Sequence, residues 1–170
     1  MRMFGPNSIA SVAYYLFRIM SIGLLLLVVY IDYAFLTNNF DLSAGRYKMD
    51  IPFTETFIHG DYQFNVILTI SIIFFFSVCF FFIISNIFKA LKEESIFNKK
   101  AIFNLQMFTV LNLIIGPILY VLIHFPIMNK TDFRDIHNLI LHLIFGLVAF
   151  FVATIFKNGY RLQNENDLTI

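Results

Sequence analysis

The chain has 170 residues, of which 59% are hydrophobic and 14% charged, and its formal net charge at pH 7 is +1. A soluble domain is about 45–50% apolar and about 25% charged, so a core this small cannot hide the excess and lipid must be part of the solvent. The near-zero charge predicts no direct contact with nucleic acid. The single cysteine, Cys79, excludes an intrachain disulfide and a cysteine-based zinc site.

Four long apolar runs follow one another along the chain, at residues 12–35, 66–88, 101–125 and 136–156. Each reaches the roughly 20 residues that a helix needs to cross the hydrocarbon core. Each must be helical, because an open strand would leave backbone groups unpaired in lipid. The sequence therefore predicts an all-α membrane protein, a single four-transmembrane-helix bundle over residues 1–170.

The lysines and arginines are distributed unevenly between the two sides of this bundle. Eight precede the first span, lie near its start, or lie in the loop 89–100 and the tail 157–170, whereas four lie in the other two loops. The positive-inside rule therefore predicts an N-in/C-in topology, with both termini in the cytoplasm.

The outer loop, residues 36–65, contains the segment RYKMDIPFT. Tyr47, Met49, Ile51 and Phe53 alternate with polar residues there. This period of two predicts a short β segment, and Pro52 restricts it to an edge or an end. Two interpretations stay open, a lid resting on the helix ends and a receptor surface.

The first span has only a short uncharged segment between its two charged residues. Thirteen uncharged residues separate Arg18 from Asp32, and they reach only about 20 Å against a core of about 30 Å. In one interpretation Arg18 snorkels inward and Asp32 rests near tyrosines. In the other, Arg18 has a buried partner such as a carboxylate of the tail.

Small and polar residues share one face of the fourth span. They recur every three or four positions, which predicts helix packing through that face: Asn138, His142, Gly146, Ala149 and Ala153. The third span carries Thr109, Asn112 and Gly116 on a matching face, and Pro117 should kink that span.

No catalytic motif is present, so no enzyme and no cofactor are predicted. An alternative is a membrane redox, haem or metal protein, because His124 and His137 end and begin adjacent spans on the predicted outer side. Another alternative is a small transporter or channel accessory subunit, which the absence of charge in the middle of the spans disfavours.

The predicted cytoplasmic face combines the loop and the tail. Asn98 is an expected N-cap of the third span, and Phe97 is expected to dock on the bundle. Gly159 is expected to end or bend the last helix, and the final DLTI has strand character. We expect an ordered tail in which Leu162 and Ile170 cover apolar surface near Phe97. Glu165 and Asp167 are expected to face the basic loop residues, which are Lys92, Lys99 and Lys100.

Two segments of this face, LKEESIFNKKAIFNL and IFKNGYRLQNENDLTI, resemble the signature regions of the bacterial membrane family called domain of unknown function 2975. The matching loop positions are Phe97, Asn98 and Leu105. The matching tail positions are Phe156, Lys157, Gly159, Leu162, Gln163, Glu165, Asp167, Leu168, Thr169 and Ile170. Lys99 and Lys100 depart from the acidic residues expected in that loop.

The resemblance implies a location in the bacterial inner membrane and a partner, since genes of this kind often neighbour genes for small helix-turn-helix regulators. Our hypothesis is a non-enzymatic platform whose loop and tail dock such a regulator. The residues predicted to bind it are Phe97, Gly159, Leu162, Gln163, Glu165, Asp167, Leu168 and Ile170. A tail that only staples its own bundle is the alternative, and homo-oligomers are left open.

Overall fold

A computed structural model describes residues 3–52, 54–93, 95–132 and 136–167. Four of its helical segments are long and apolar enough to cross a membrane, namely Ile9–Thr37, Phe64–Ala90, Lys99–Ile127 and Ile136–Glu165. The predicted four-helix membrane fold is confirmed. The first three segments extend two or three residues beyond each end of the predicted span, and the fourth begins at the predicted residue and extends nine residues beyond the predicted end.

The first helix, α1 (Ile9–Thr37), begins after Ser8, whose hydroxyl accepts a hydrogen bond from the Ser11 N–H. It ends at Asn38, which has a φ of 55°. The second helix, α2, spans Phe64–Ala90. After a short loop, Asn98 caps the third span, since its side-chain oxygen lies 2.8 Å from the Ala101 nitrogen that donates to it. The N-cap predicted at Asn98 is confirmed.

The third span contains four segments. Helix α3 (Lys99–Val110) is followed by a first π turn (Leu111–Ile115), helix α4 (Gly116–Leu122) and a second π turn (Ile123–Ile127). The first π turn ends two residues before Pro117, and the kink predicted at Pro117 stays a prediction. Proline has no N–H to donate to the preceding turn, and the Gly116 N–H donates five residues back, to the Leu111 carbonyl.

The fourth span is helix α5, which runs from Ile136 to Asp167. The expectation that Gly159 ends this helix is wrong, because the helix continues to Asp167. A bend at Gly159 stays a prediction. Five of the eleven residues at 157–167 are good helix formers, and the helix backbone tolerates one glycine at a cost of about 1 kcal/mol. Leu168 and Ile170 lie outside the described residues, so the expected strand character of the last three positions stays a prediction.

The outer loop forms a small antiparallel sheet in the order β1 (Asp41–Ser43), β2 (Arg46–Asp50) and β3 (Phe57–Asp61). The strand predicted from alternation is β2, which ends at Asp50 before Ile51. Phe53, the last residue of the alternating set, lies outside the described residues. The two partner strands of β2 were not predicted. Ala44 and Gly45, with φ of 49° and 75°, make the two-residue turn between β1 and β2.

One face of β2 rests on α1. Tyr47 and Met49 are 2% and 1% exposed, and Met49 forms a cluster with Ile31 and Ala34 of the helix. The Tyr30 hydroxyl donates to the Asp50 carbonyl. The sheet therefore covers the C-terminal end of α1 as a lid, in agreement with the first of the two interpretations.

The helices pack in a simple order. α1 lies along α2, α2 contacts α3, and α3 with the segments after it contacts α5. The end of the bundle that carries the sheet is called the sheet end below, and the end that carries residues 91–98 is called the loop end. Towards the sheet end, α2 keeps only sparse contact with the second half of the third span. This sparse contact leaves a gap between α2 and the second half of the third span.

Candidate functional site

The loop end contains a contact between the short loop and the extension of α5. The Phe97 ring lies edge-on against the Phe156 ring, with centroids 5.3 Å apart. It also covers Gly159, because an added Cβ there would meet three Phe97 ring atoms at 2.7–2.9 Å. Gly159 thus permits a close approach between loop and helix. We call this contact, with residues 95–98 and 156–163, the junction.

Hydrogen bonds hold the loop in place around the junction. The Ser95 hydroxyl donates to the Gln163 side-chain oxygen at 3.0 Å. The Asn98 amide donates to the Ala90 and Ser95 carbonyls at 3.0 and 2.8 Å. Asn98 therefore ties the end of α2 to the start of α3, and Gln163 ties the tail to the loop.

Charges at the loop end pair differently from the expectation. Lys100 lies 2.7 Å from Glu93, Lys99 lies over the Tyr160 ring, and Lys92 lies over two tyrosine rings of α1. Glu165 pairs with Arg161 one turn earlier, at 3.2 Å. The expected pairing of Glu165 with the loop lysines is replaced by a contact within α5, because an unbroken helix presents residue 161 at the right spacing.

Leu162 does not cover apolar surface at the junction, because it is 58% exposed. The unbroken helix turns it away from Phe97, which occupies the face of Gly159. Of the residues predicted to bind a partner, the structure brings Phe97, Gly159 and Gln163 into contact. The side chain of Asp167, like Leu168 and Ile170, lies outside the described part of the chain.

The face of α5 predicted to pack does contact the third span. Gly146 is buried, and a Cβ there would meet Leu113 side-chain atoms at 2.6 and 2.7 Å. Ala149 and Ala153 are buried as well. Asn138, at the start of α5, is exposed at the edge of the cavity described below.

A polar pair crosses the same contact. Asn112, in the first π turn, is 0% exposed, and its side-chain oxygen lies 2.8 Å from Nδ1 of His142. Its amide nitrogen donates to the Phe108 carbonyl, so the oxygen must accept from histidine. The neutral imidazole therefore carries its proton on Nδ1 and a lone pair on Nε2.

A cavity of about 620 Å³ occupies the gap between α2, the second half of the third span and α5. Most of its wall is apolar, with Phe76, Phe80 and Phe145 among the lining residues. Polar side chains also reach it, and these are Thr69, Ser77, Tyr120, His124, Lys130, Asn138 and His142. Sequence reasoning did not single out Thr69 or Tyr120, since both lie within apolar runs.

The two histidines of the haem hypothesis have different environments. His124 is buried, its Nε2 bonds to the Asp132 carbonyl, and its ring stacks on Tyr120. His137 is exposed. In the described part of the chain, no three His, Cys, Asp or Glu side chains form a group that could hold a metal ion.

The first span holds its two charges by separate contacts. The Arg18 guanidinium lies 4.4 Å from the centroid of the Phe82 ring, a cation–π contact within the bundle. Asp32 accepts a hydrogen bond of 2.6 Å from Ser71 of α2. The expectation that Asp32 rests near tyrosines stays a prediction.

Comparison with known proteins gives one match. A family model described as "Protein of unknown function (DUF2975)" matches residues 6–170. No curated protein and no solved structure matches the chain.

Proposed function

The chain belongs to the DUF2975 family, and we propose that it is a non-enzymatic accessory protein of the bacterial inner membrane. Its junction and the α5 extension would dock a small helix-turn-helix regulator on the cytoplasmic side. The regulator would bind through protein contacts, and the chain itself would not touch nucleic acid. The observation that carries this proposal is the packed junction, in which Phe97 lies against Gly159.

The junction supports docking because it fixes the geometry of a surface beyond the apolar core. Phe156 is the last residue of the predicted apolar run, and α5 continues for eleven residues to Asp167. A helix of that length extends about 16 Å at 1.5 Å per residue. The contacts of Phe97 and Gln163 hold its start in one position, so a partner would meet a preorganised surface.

Exposed side chains on the extension are of the kinds that bind proteins. Leu162 is an apolar group in an otherwise polar segment, and large apolar groups anchor interfaces when they are buried. Lys157 and Arg161 are exposed on the same segment, and Lys99 and Lys100 are exposed beside it. Arg161 and Lys100 are paired with Glu165 and Glu93, so Lys157 and Lys99 supply the excess of positive charge. This excess favours a partner with an acidic face, and charge complementarity would steer the encounter.

The proposal is tested by co-purification in mild detergent with the small helix-turn-helix protein encoded nearest to the gene. The full chain should retain the regulator, and a chain truncated after Asn158 should not. Leu162→Ala should weaken retention by removing the apolar anchor. Asn164→Ala is the matched control, because it changes an exposed polar residue of the same segment.

Equal retention by the full chain and the truncated chain would contradict docking at the extension. The alternative, that the extension only staples its own bundle, would then be favoured if truncation lowered the thermal stability of the isolated protein. Capture of a second copy of the chain, without the regulator, would identify the extension as a homo-oligomer contact and would also overturn the proposal.

A further inference from the structure

The cavity at the sheet end contains polar groups that the fold does not use. The hydroxyl oxygens of Thr69 and Tyr120 are buried and have no hydrogen-bond partner among the residues described. Both residues line the cavity. A buried hydroxyl without a partner is unfavourable, and native structures usually satisfy such groups with a side chain, water or ligand.

Thr69 differs from the other hydroxyl residues in the spans. The hydroxyl of Ser71 donates to Asp32, and the hydroxyls of Ser77, Thr109 and Thr154 each donate to the carbonyl four residues earlier. This bond is the usual way for a helix to satisfy serine or threonine in lipid. Thr69 does not make it within the described residues, so its hydroxyl is left buried and without a partner in the wall of the cavity.

His142 adds a hydrogen-bond acceptor to the cavity wall. Asn112 fixes its proton on Nδ1, as shown above, and the ring lines the cavity. Nε2 is then an acceptor. Among the polar residues of the cavity wall, two thus carry buried hydroxyls without a partner in the described part of the chain and one carries an imidazole acceptor, and most of the remaining wall is aromatic or aliphatic. Ligand sites commonly have this composition, with a few placed polar groups in an apolar pocket of about 300–1,000 Å³.

We propose that this cavity binds a neutral lipid that presents carbonyl oxygens at its polar end. The carbonyls would accept hydrogen bonds from Thr69 and Tyr120, and the hydrocarbon part would pack on Phe76 and Phe80. A hydroxyl on the lipid, where there is one, would donate to Nε2 of His142. The ligand is neutral because a charge placed between these apolar walls would be costly. Lys130 also lines the cavity, but its side chain is exposed and does not make the inner wall polar.

Two kinds of molecule share this chemistry. A diacylglycerol carries two ester carbonyls and a hydroxyl, so it can satisfy all three protein groups. A quinone carries two ring carbonyls and no donor, so it can satisfy only the two hydroxyls. The cavity is separate from the junction, which lies at the other end of the bundle, and this inference does not depend on the docking proposal.

Native mass spectrometry of the full chain, released from detergent, tests the inference with 1,2-dioctanoylglycerol and decylubiquinone as probes. Hexadecane, which has no polar group, and dioctanoyl phosphatidylcholine, which has a charged head, are the comparison molecules. We expect saturable binding of one molecule of a carbonyl-bearing probe per chain and weaker binding of the comparison molecules. A preference for dioctanoylglycerol would assign the diacylglycerol source, and a preference for decylubiquinone would assign the quinone.

Three variants locate the binding. Thr69→Val and Tyr120→Phe remove the two unused hydroxyls and keep the shapes of the side chains, and each should weaken binding about fivefold, the loss expected for one hydrogen bond. Ser77→Ala is the matched control, because Ser77 lines the same cavity but already donates to the Ile73 carbonyl at 2.9 Å. Its effect on affinity should be below twofold.

Thermal stability without added lipid shows whether the hydroxyls serve the fold instead. Thr69→Val and Tyr120→Phe should unfold at the parent temperature or above, because each removes an unsatisfied group. The inference is overturned if neither probe binds better than hexadecane and the phosphatidylcholine. It is also overturned if Ser77→Ala weakens binding as much as Thr69→Val, or if the two test variants lose stability in the lipid-free protein.

Discussion

The ring of Phe97 occupies the space that a side chain at position 159 would need, since a Cβ there would lie 2.7 Å from the Phe97 Cδ1 atom. We predict that Gly159→Ala destabilises the junction. Alanine favours a helix over glycine by about 1 kcal/mol, but displacing a packed ring costs about 1–3 kcal/mol. Hydrogen exchange of amides 95–98 and 156–163 should therefore accelerate.

The matched control for this prediction is Gly23→Ala in α1. A Cβ at position 23 meets nothing within 4 Å among the described residues. The helix-propensity gain should then appear without a clash, and exchange should slow or stay the same. If both variants behave alike, Phe97 does not pack on Gly159 as described.

Gly146 sets the distance between α5 and the third span. Gly146→Leu should lower stability by about 1–3 kcal/mol, because even a Cβ would meet Leu113 Cγ at 2.6 Å and the Leu113 backbone nitrogen at 3.1 Å. Leu147→Ala should cost less, since Leu147 is exposed on the neighbouring face. Thermal unfolding in detergent measures both, and equal shifts would contradict the packing face.

Asn112 and His142 should be energetically coupled across the same contact. Asn112→Ala leaves Nδ1 of His142 without its acceptor, and each single substitution should destabilise the protein by about 1–2 kcal/mol. A double-mutant cycle with His142→Ala should give a coupling of about 0.5–1.5 kcal/mol. His137→Ala, on an exposed histidine of the same helix, should show additivity with Asn112→Ala.

Tyr47 gives the sheet a dependence on alkaline pH. Its burial, with a smaller contribution from the charge of Asp61, raises the pKa of the phenol above the ordinary value of 10.0. A pKa raised on folding means that the protonated form is favoured, so this contribution is complete below pH 10 and is lost as the pH rises through the folded pKa.

Amide exchange in β2 and β3, corrected for its intrinsic pH dependence, should therefore accelerate above about pH 10. Tyr47→Phe keeps the ring on Phe35, where the centroids lie 4.9 Å apart, and removes the ionisable group. This variant should lose the Tyr47 contribution to the alkaline acceleration. An identical pH profile for parent and variant would assign the effect to another group.

Topology is predicted from charge alone and can be measured separately. In a Cys79→Ser background, cysteine placed at Glu165 should react with a membrane-impermeant maleimide only after lysis. Cysteine at Thr56, in the sheet-end loop, should react in whole cells. The reverse pattern would place the junction outside and would remove the docking proposal along with the N-in/C-in topology.

The sequence alone determined the four helices, because an 18–20-residue apolar run has only one way to satisfy its backbone in lipid. It also determined β2, because alternation of Tyr47 and Met49 with polar residues requires a buried face. The cap at Asn98 followed from local hydrogen bonding. Each of these features depends on contacts within one segment of the chain, so the pattern of residues in that segment is enough to predict it.

Only the tertiary structure decided what Gly159 does, because glycine permits both a helix end and a close contact, and the position of Phe97 selects the second. The strands β1 and β3 are short and exposed for most of their length. Their sequences therefore show little of the apolar–polar alternation that would predict a strand. The unused hydroxyls of Thr69 and Tyr120 became visible only when three helices enclosed a cavity. Whether a hydroxyl bonds to its own helix or faces a gap depends on the neighbours that packing supplies, and these are distant in the sequence.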